Sequence, residues 1–522
     1  MSQFDCSSSD FEKLVHFDLK GAPPVIGYYE QIFPLLKKLG ATGILMEYED
    51  MFPYQGDLQI VCQPDVYSAE EIQKIQNLAI ENDLQIIPLV QSFGHLRLEK
   101  VVFFLNQHLY QDNTIILYII RNVQKIINSF LLKHDKYYEI REIERYPNAL
   151  CPSHSKSEGV IMDMINQILD SHKNSKYIHI GGDEVWHLGQ CSRCKEKMGA
   201  QKWKKEHLFL DHIIRIAQKI RETNQEIGII IWDDMMRNID INILKSSEIG
   251  KLILPMVWHY LPTDEFKLEN TLWEKYASVF PNIWIASAFK GATEMTQLIT
   301  PTRYHLSNQQ AWLKMLNLFG KMFNKVLGIA ITGWQRFDHY TVLCELFPVA
   351  LPTLAVCLLT IINGDFNENV HKTASNLLAF ENLLEMDTFP RPQPVGPPPL
   401  FPGGNIHNSC LQLMNCIAEY HILMHHPSFE GAFSSYQIMH NRVNTLHIDQ
   451  FLPRARIILM NIEAINVQLE GELSKIFYPT TVEEFLTVNI NPFLEKLRKL
   501  VKDADLQIIF HSAPEEMQLN SN

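Results

Sequence analysis

Eight short runs of β-branched and apolar residues recur between residues 14 and 332, and segments with helical spacing separate them. This alternation limits the fold more than any other feature of the chain. The runs cover residues 14–19, 42–47, 84–90, 177–180, 227–232, 252–258, 282–287 and 326–332. Between the first two, Ile32, Phe33, Leu35, Leu36 and Leu39 share one face of a helix over 27–39, which Gly40 ends. Ser68-Ala69-Glu70-Glu71 reads as a capping box opening another helix, and further helices read over 157–170 and 207–223.

Strand followed by helix, eight times over, predicts an α/β chain with a (β/α)8 TIM-type barrel over residues 11–370. A doubly wound sheet is the main competitor. No Gly-x-Gly-x-x-Gly turn follows the first run, which counts against it. Polar and aromatic residues gather just past the proposed strands: Asp18 and Lys20, residues 47–50 and 91–95, Asp183 and Glu184, Asp233 and Asp234, His259 and Tyr260, Lys290, and residues 334–340. Barrel enzymes carry their sites on that face.

Two parts fall outside the repeat. Residues 100–129 have no place between the third run and the next helix. Joining 96–99 to 130–134 would leave one amphipathic helix, so an insertion is expected there. After the barrel, a proline-rich stretch over 388–404 reads as a stiff linker. A helical region over 405–512 follows, with helices over 408–425, 437–464 (interrupted near Pro453) and 482–502. These either form a small bundle or lie back on the barrel.

The formal net charge of −13 argues against nucleic acid or an anionic membrane surface as partner, since both call for basic patches. The first ten residues show no basic region and no apolar run, and no stretch is long and apolar enough to span a bilayer, so a cytoplasmic and nuclear location is expected. The nine cysteines are scattered and are expected as free thiols. Cys191 and Cys194 form a lone Cys-x-x-Cys without a second pair, although His187 is near in sequence. They read as structural or incidental thiols, with no metal expected. No cofactor is expected, and a homo-oligomer is compatible with the sequence.

Chemistry concentrates in His179-Ile180-Gly181-Gly182-Asp183-Glu184. A strand ends in two glycines, which allow a tight turn or a close approach, and two carboxylates follow. Neighbours on a regular strand face opposite sides, but at a frayed end both can lean into one pocket. Like charges this close resist joint ionisation, so one carboxyl tends to keep a proton, as a general acid must. The bland alternative is a helix-capping Asp183 and a solvated Glu184.

This run resembles the His-x-Gly-Gly-Asp-Glu signature of glycoside hydrolase family 20, the β-N-acetylhexosaminidases. Residues 47–54, 287–292 and 333–336 strengthen the likeness to a nucleocytoplasmic branch of that family. The resemblance implies removal of terminal β-linked GalNAc or GlcNAc from an N-acetylhexosamine-containing glycoconjugate. Glu184 would protonate the glycosidic oxygen. Asp183 would orient the 2-acetamido group, whose own oxygen attacks the anomeric carbon, a substrate-assisted route giving retention. His95, in Ser92-Phe93-Gly94-His95, is the candidate orienter. Trp232, Trp258 and Trp334 are candidate sugar platforms, Tyr260 a donor to the acetamido oxygen and Asp233 a pocket wall.

The chain departs from the family pattern twice. Asp18 and Lys20 stand where many members have a sugar-gripping Arg, and Arg336 stands where a Glu is frequent, leaving Asp338 to supply the acceptor. Hydroxyl recognition therefore differs, with a lean towards accepting GalNAc. Two other readings stay open: a sugar-binding barrel without turnover, and a metal-dependent hydrolase using Asp183, Glu184, His179 and His95.

Overall fold

The apolar runs pair as parallel neighbours and close on themselves. In a computed structural model describing residues 4–95, 135–386 and 395–512, the strands are β1 (Glu12–Asp18), β2 (Gly43–Glu47), β3 (Gln85–Leu89), β4 (Arg141–Ile143), β5 (Tyr146–Leu150), β6 (Tyr177–His179), β7 (Gly228–Trp232), β8 (Leu254–Trp258), β9 (Asn282–Lys290) and β10 (Lys325–Gly333). All but β4 and β5 form a closed barrel in the order β1-β10-β9-β8-β7-β6-β3-β2. The (β/α)8 expectation is met, and the doubly wound alternative is excluded by the β1–β10 pairing, Leu14 opposite Ala330.

The barrel interior is filled rather than hollow. The buried indoles of Trp232 and Trp284 pack with Leu14, Leu45, Ile87 and Met256, while Ala286 and Ala330 leave them room. A large ring opposite a methyl group lets the layers interdigitate. Outside the strands, helices such as Ile26–Lys38, Lys205–Thr223 and Phe347–Asn363 bury their apolar faces in a second continuous core. Ser68 caps the helix Ala69–Glu81 through the expected box: its hydroxyl accepts from the Glu71 amide, and Glu71 accepts from the Ser68 amide.

One element was not foreseen, and two helix expectations need correction. β4 and β5 form an antiparallel hairpin that no periodicity announced, because its strands are three and five residues long. The helix Thr445–Leu473 runs through Pro453 without interruption. An internal proline costs about 3 kcal/mol, and here a continuous buried stripe (Ile448, Phe451, Ala455, Ile458, Ile462) offsets it. The single helix expected over 482–502 is two, Pro479–Asn489 and Asn491–Ser512, which break at Ile490; Pro492 sits in the first turn of the second.

The C-terminal helices lie back on the barrel. Val25 donates to Ile476 O at 2.7 Å, Thr481 to Gly21 O at 2.9 Å and Tyr28 to Pro402 O at 3.2 Å. The proposed insertion over 100–129 and residues 388–394 of the proline-rich stretch lie outside the described residues. Among the described residues, no helix is long and apolar enough to cross a membrane.

Candidate active site

Past β6 the backbone turns through Gly181 (φ 65°) and Gly182 (φ 87°). A Cβ on Gly181 would come within 2.0 Å of the Gln91 side-chain oxygen, so only glycine fits against the loop after β3. That loop presses on the same turn from the other side: a Cβ on Gly94 would lie 2.4 Å from Asp183 O. His95 (φ 52°) and Glu184 (φ 46°) both adopt left-handed backbone, which costs of order 1–3 kcal/mol each and persists where surrounding structure imposes it.

The outcome is that both carboxylates face one imidazole. His95 Nε2 stands 3.6 Å from Asp183 Oδ2 and 3.3 Å from Glu184 Oε2. The glycines and the frayed strand end do bring the neighbouring acids to one side. Both line a pocket of about 260 Å³ with Lys20, Gln91, Trp232, Trp258, Tyr260, Trp334 and Arg336, while Phe337, Asp338 and His339 also line it.

The aromatic wall is continuous. Trp258 stacks on Tyr260 at 5.1 Å, Tyr260 lies 6.4 Å from Trp334, and Trp334 lies 5.9 Å from Trp232. Indoles offer an apolar face to a sugar ring and keep water out. Lys20 reaches the pocket from the end of β1. Its ammonium is held 3.2 Å from Glu49 Oε1 and 3.6 Å from Asp18 Oδ2, and 6.0 Å from the Trp334 ring.

Several expected residues take other positions. Asp233 is no pocket wall: it is fully buried, its carboxylate bonded to Arg237 at 2.6 Å and to the Tyr276 hydroxyl at 3.0 Å. Its neighbour Asp234 serves the site instead, accepting from the Glu184 amide at 2.9 Å and from the Trp258 indole at 3.2 Å. Asp18 lies behind Lys20 rather than in the pocket and accepts from the Gln335 amide at 2.8 Å. Arg336 lines the pocket, but Glu484 binds its guanidinium. Asp338 sits exposed at the mouth. Residue-level reading missed Asp234, Gln91 and His339, whose ring stacks on His95 at 5.9 Å; each belonged to a polar cluster flagged past a strand.

Among the described residues, the acid pair is not part of a converging metal-donor set. His179 turns into the barrel, its Nδ1 accepting from the Gly181 amide at 3.0 Å and its ring 4.3 Å from Trp232. Among the described residues, Asp18, Glu47 and Glu49 do converge, but the Lys20 ammonium already lies against Asp18 and Glu49.

The catalytic-domain model of glycosyl hydrolase family 20 matches residues 30–278. A Homo sapiens protein called hexosaminidase D is 34% identical over 494 residues, 94% of this chain and 94% of that one. The chain belongs to glycosyl hydrolase family 20. The Bos taurus hexosaminidase D is 39% identical over 375 residues, 72% of this chain and 99% of its own. Among solved structures, a beta-N-acetylhexosaminidase from Bacteroides fragilis NCTC 9343 aligns with 70% of this chain and 69% of its own, with 11% identity and a TM-score of 0.46.

The acids around the pair differ in how their surroundings shift them. Burial, reinforced by the Glu184 charge, pushes the Asp183 carboxyl up although His95 opposes it. His95 holds Glu184 down through its hydrogen bond, against partial burial. Burial alone would lower His95, yet the two carboxylates leave it raised. Asp234 is pushed up to about 7, by burial first and then by Asp183. The groups therefore pull in opposite directions: the two carboxylates raise His95, His95 holds Glu184 down, and burial pushes Asp183 and Asp234 up.

Proposed function

We propose that this protein is an exo-acting β-N-acetylhexosaminidase that removes terminal GalNAc or GlcNAc with retention, using the substrate's acetamido oxygen as nucleophile. The observation that carries this reading is that Asp183 and Glu184 face the same His95 nitrogen from one side of the pocket. A retaining enzyme with a protein nucleophile needs a carboxylate about 5–5.5 Å across the sugar from the acid. Among the described residues, the other carboxylate lining the pocket is Asp338, which is exposed. The substrate has to bring its own nucleophile.

Glu184 donates the proton to the glycosidic oxygen, fed by the imidazolium of His95. Asp183 takes the acetamido N–H and stabilises the positive charge that grows as the ring closes. Tyr260 donates to the acetamido oxygen, since burial keeps its hydroxyl protonated. The volume of about 260 Å³ is near the small end of ligand pockets, about 300 Å³, and suits one sugar ring, hence exo action. Lys20 offers a cation to the ring hydroxyls. Because Arg336 replaces the usual acceptor and is itself engaged, the pocket tolerates either C4 epimer.

Turnover of 4-nitrophenyl N-acetyl-β-glucosaminide and galactosaminide, against the matching β-glucoside and β-galactoside, tests this. Hydrolysis confined to the acetamido sugars is expected. Equal rates on sugars without the acetamido group would overturn the mechanism, and no hydrolysis of any would overturn the activity.

A further inference from the structure

Cys191 and Cys194 lack a second Cys pair in sequence, but the fold supplies two more donors. Cys191 caps the helix Ser192–Gln201, its sulfur accepting from the Cys194 amide at 3.3 Å. Cys151, just past β5, brings its Sγ to 3.4 Å from Cys191 Sγ and 3.6 Å from Cys194 Sγ. Glu142, on β4, puts Oε2 3.2 Å from Cys194 Sγ. The four donor atoms all lie within 4.8 Å of one another. His187 stays out, stacked on Tyr146 at 4.6 Å.

We infer that Cys151, Cys191, Cys194 and Glu142 form a structural zinc site. A tetrahedral Zn²⁺ with Zn–S bonds of about 2.3 Å has S···S edges of about 3.8 Å, close to the two sulfur separations here. Three sulfurs with one carboxylate make a closed four-ligand set with no position for a reacting water, which fits a structural metal. Thiolates select zinc over the hard cations.

The surroundings prepare the donors. Glu142 Oε1 accepts from the amides of Gln190 at 2.6 Å and Cys191 at 3.0 Å, so its second oxygen is aimed at the sulfurs. Glu142 and Cys194 are buried, as is Cys151. A disulfide would use two sulfurs and strand the third beside a buried carboxylate, whereas a metal engages all four groups.

The site joins two loops that sequence distance keeps apart. Cys151 ends the β4–β5 hairpin, and Cys191 follows the loop that carries Asp183 and Glu184. The metal therefore pins the loop of the reacting pair to the hairpin and takes no part in the chemistry.

The test is zinc content of the full-length protein, purified under reducing conditions without chelator. About one tightly held zinc per chain is expected, falling below about one-tenth in Cys194→Ser and Cys151→Ser. If those variants fail to fold, protein expressed in cobalt medium decides: a thiolate-to-cobalt charge-transfer band with tetrahedral d–d absorption is expected. Zinc-free wild-type protein with three alkylatable thiols at these positions would overturn the site. So would a disulfide among them found by non-reducing peptide mass spectrometry. Neither readout depends on hydrolysis, so the fate of the proposed activity does not bear on it.

Discussion

Arg336 gives Nη1 to Glu484 Oε1 and Nη2 to Glu484 Oε2, each at 2.7 Å, joining the pocket wall to the C-terminal helix Pro479–Asn489. Both side chains are almost wholly buried. The C-terminal region is thus part of the site's support, although none of the described residues lining the pocket comes from it.

Removing one partner of a buried pair leaves an uncompensated charge and costs about 3–5 kcal/mol. Glu484→Ala should therefore lower the unfolding free energy by that order, read by denaturant titration. It should also raise KM more than it changes kcat, because a freed guanidinium swings into the sugar pocket. The double variant Arg336→Met with Glu484→Leu should recover most of the stability but not the KM. If Glu484→Ala is as stable as the parent, the pair does not hold the wall.

Glu184→Gln should lower kcat by about 10²–10⁴-fold, the usual worth of a positioned general acid. The loss should be largest on disaccharides and smaller on a 2,4-dinitrophenyl glycoside, whose leaving group needs little protonation. Asp183→Asn should instead reduce turnover of both, since the acetamido oxygen closes its ring on the anomeric carbon as the glycosidic bond breaks, whatever the leaving group. Equal leaving-group dependence in the two variants would contradict the division of labour.

The pH profile follows from where the proton sits. His95 is raised by its carboxylates and Glu184 is lowered by His95. The pair delivers a proton only while it holds one. It loses that proton as pH rises through the raised His95 value, above the ordinary imidazole value of about 6.5. The alkaline limb of kcat/KM should therefore lie above that point. His95→Asn suits the left-handed backbone at φ 52° and leaves the proton to Glu184 alone. Its alkaline limb should move acidward; an unmoved limb would remove His95 from the relay.

The barrel was readable because a period of strand and helix needs no long-range knowledge, and the acid pair because two glycines precede it. What escaped was facing. Asp233 and Asp234 both follow Trp232, and only the register of β7 against β8 decides that Asp233 turns outward to Arg237 while Asp234 serves Glu184. Glu142 and Cys151 lie 49 and 40 residues before Cys191, on a hairpin too short for periodicity to reveal. Glu484 is 148 residues from Arg336, and no local pattern links them.

Glu184 also borders a second hollow, which points to where the rest of the substrate lies. A groove of about 510 Å³ runs from Glu184 past Trp186, Phe209, Arg237 and Asn238. The Trp186 side chain is 58% exposed, unusual for an indole unless something covers it. A proton donor stands next to the leaving group, so this groove is where the departing sugar or protein should sit, with Trp186 beneath it. The Trp186 side chain also hydrogen-bonds Glu184. Trp186→Phe keeps a ring and loses that bond, whereas Trp186→Ala loses both. Stacking on an aromatic face is worth about 0.5–1.5 kcal/mol, so kcat/KM on a disaccharide should fall up to about tenfold further in Trp186→Ala than in Trp186→Phe. On a small methylumbelliferyl or nitrophenyl glycoside lacking a second sugar, the two variants should differ less. Identical ratios on both substrate types would place the leaving group elsewhere.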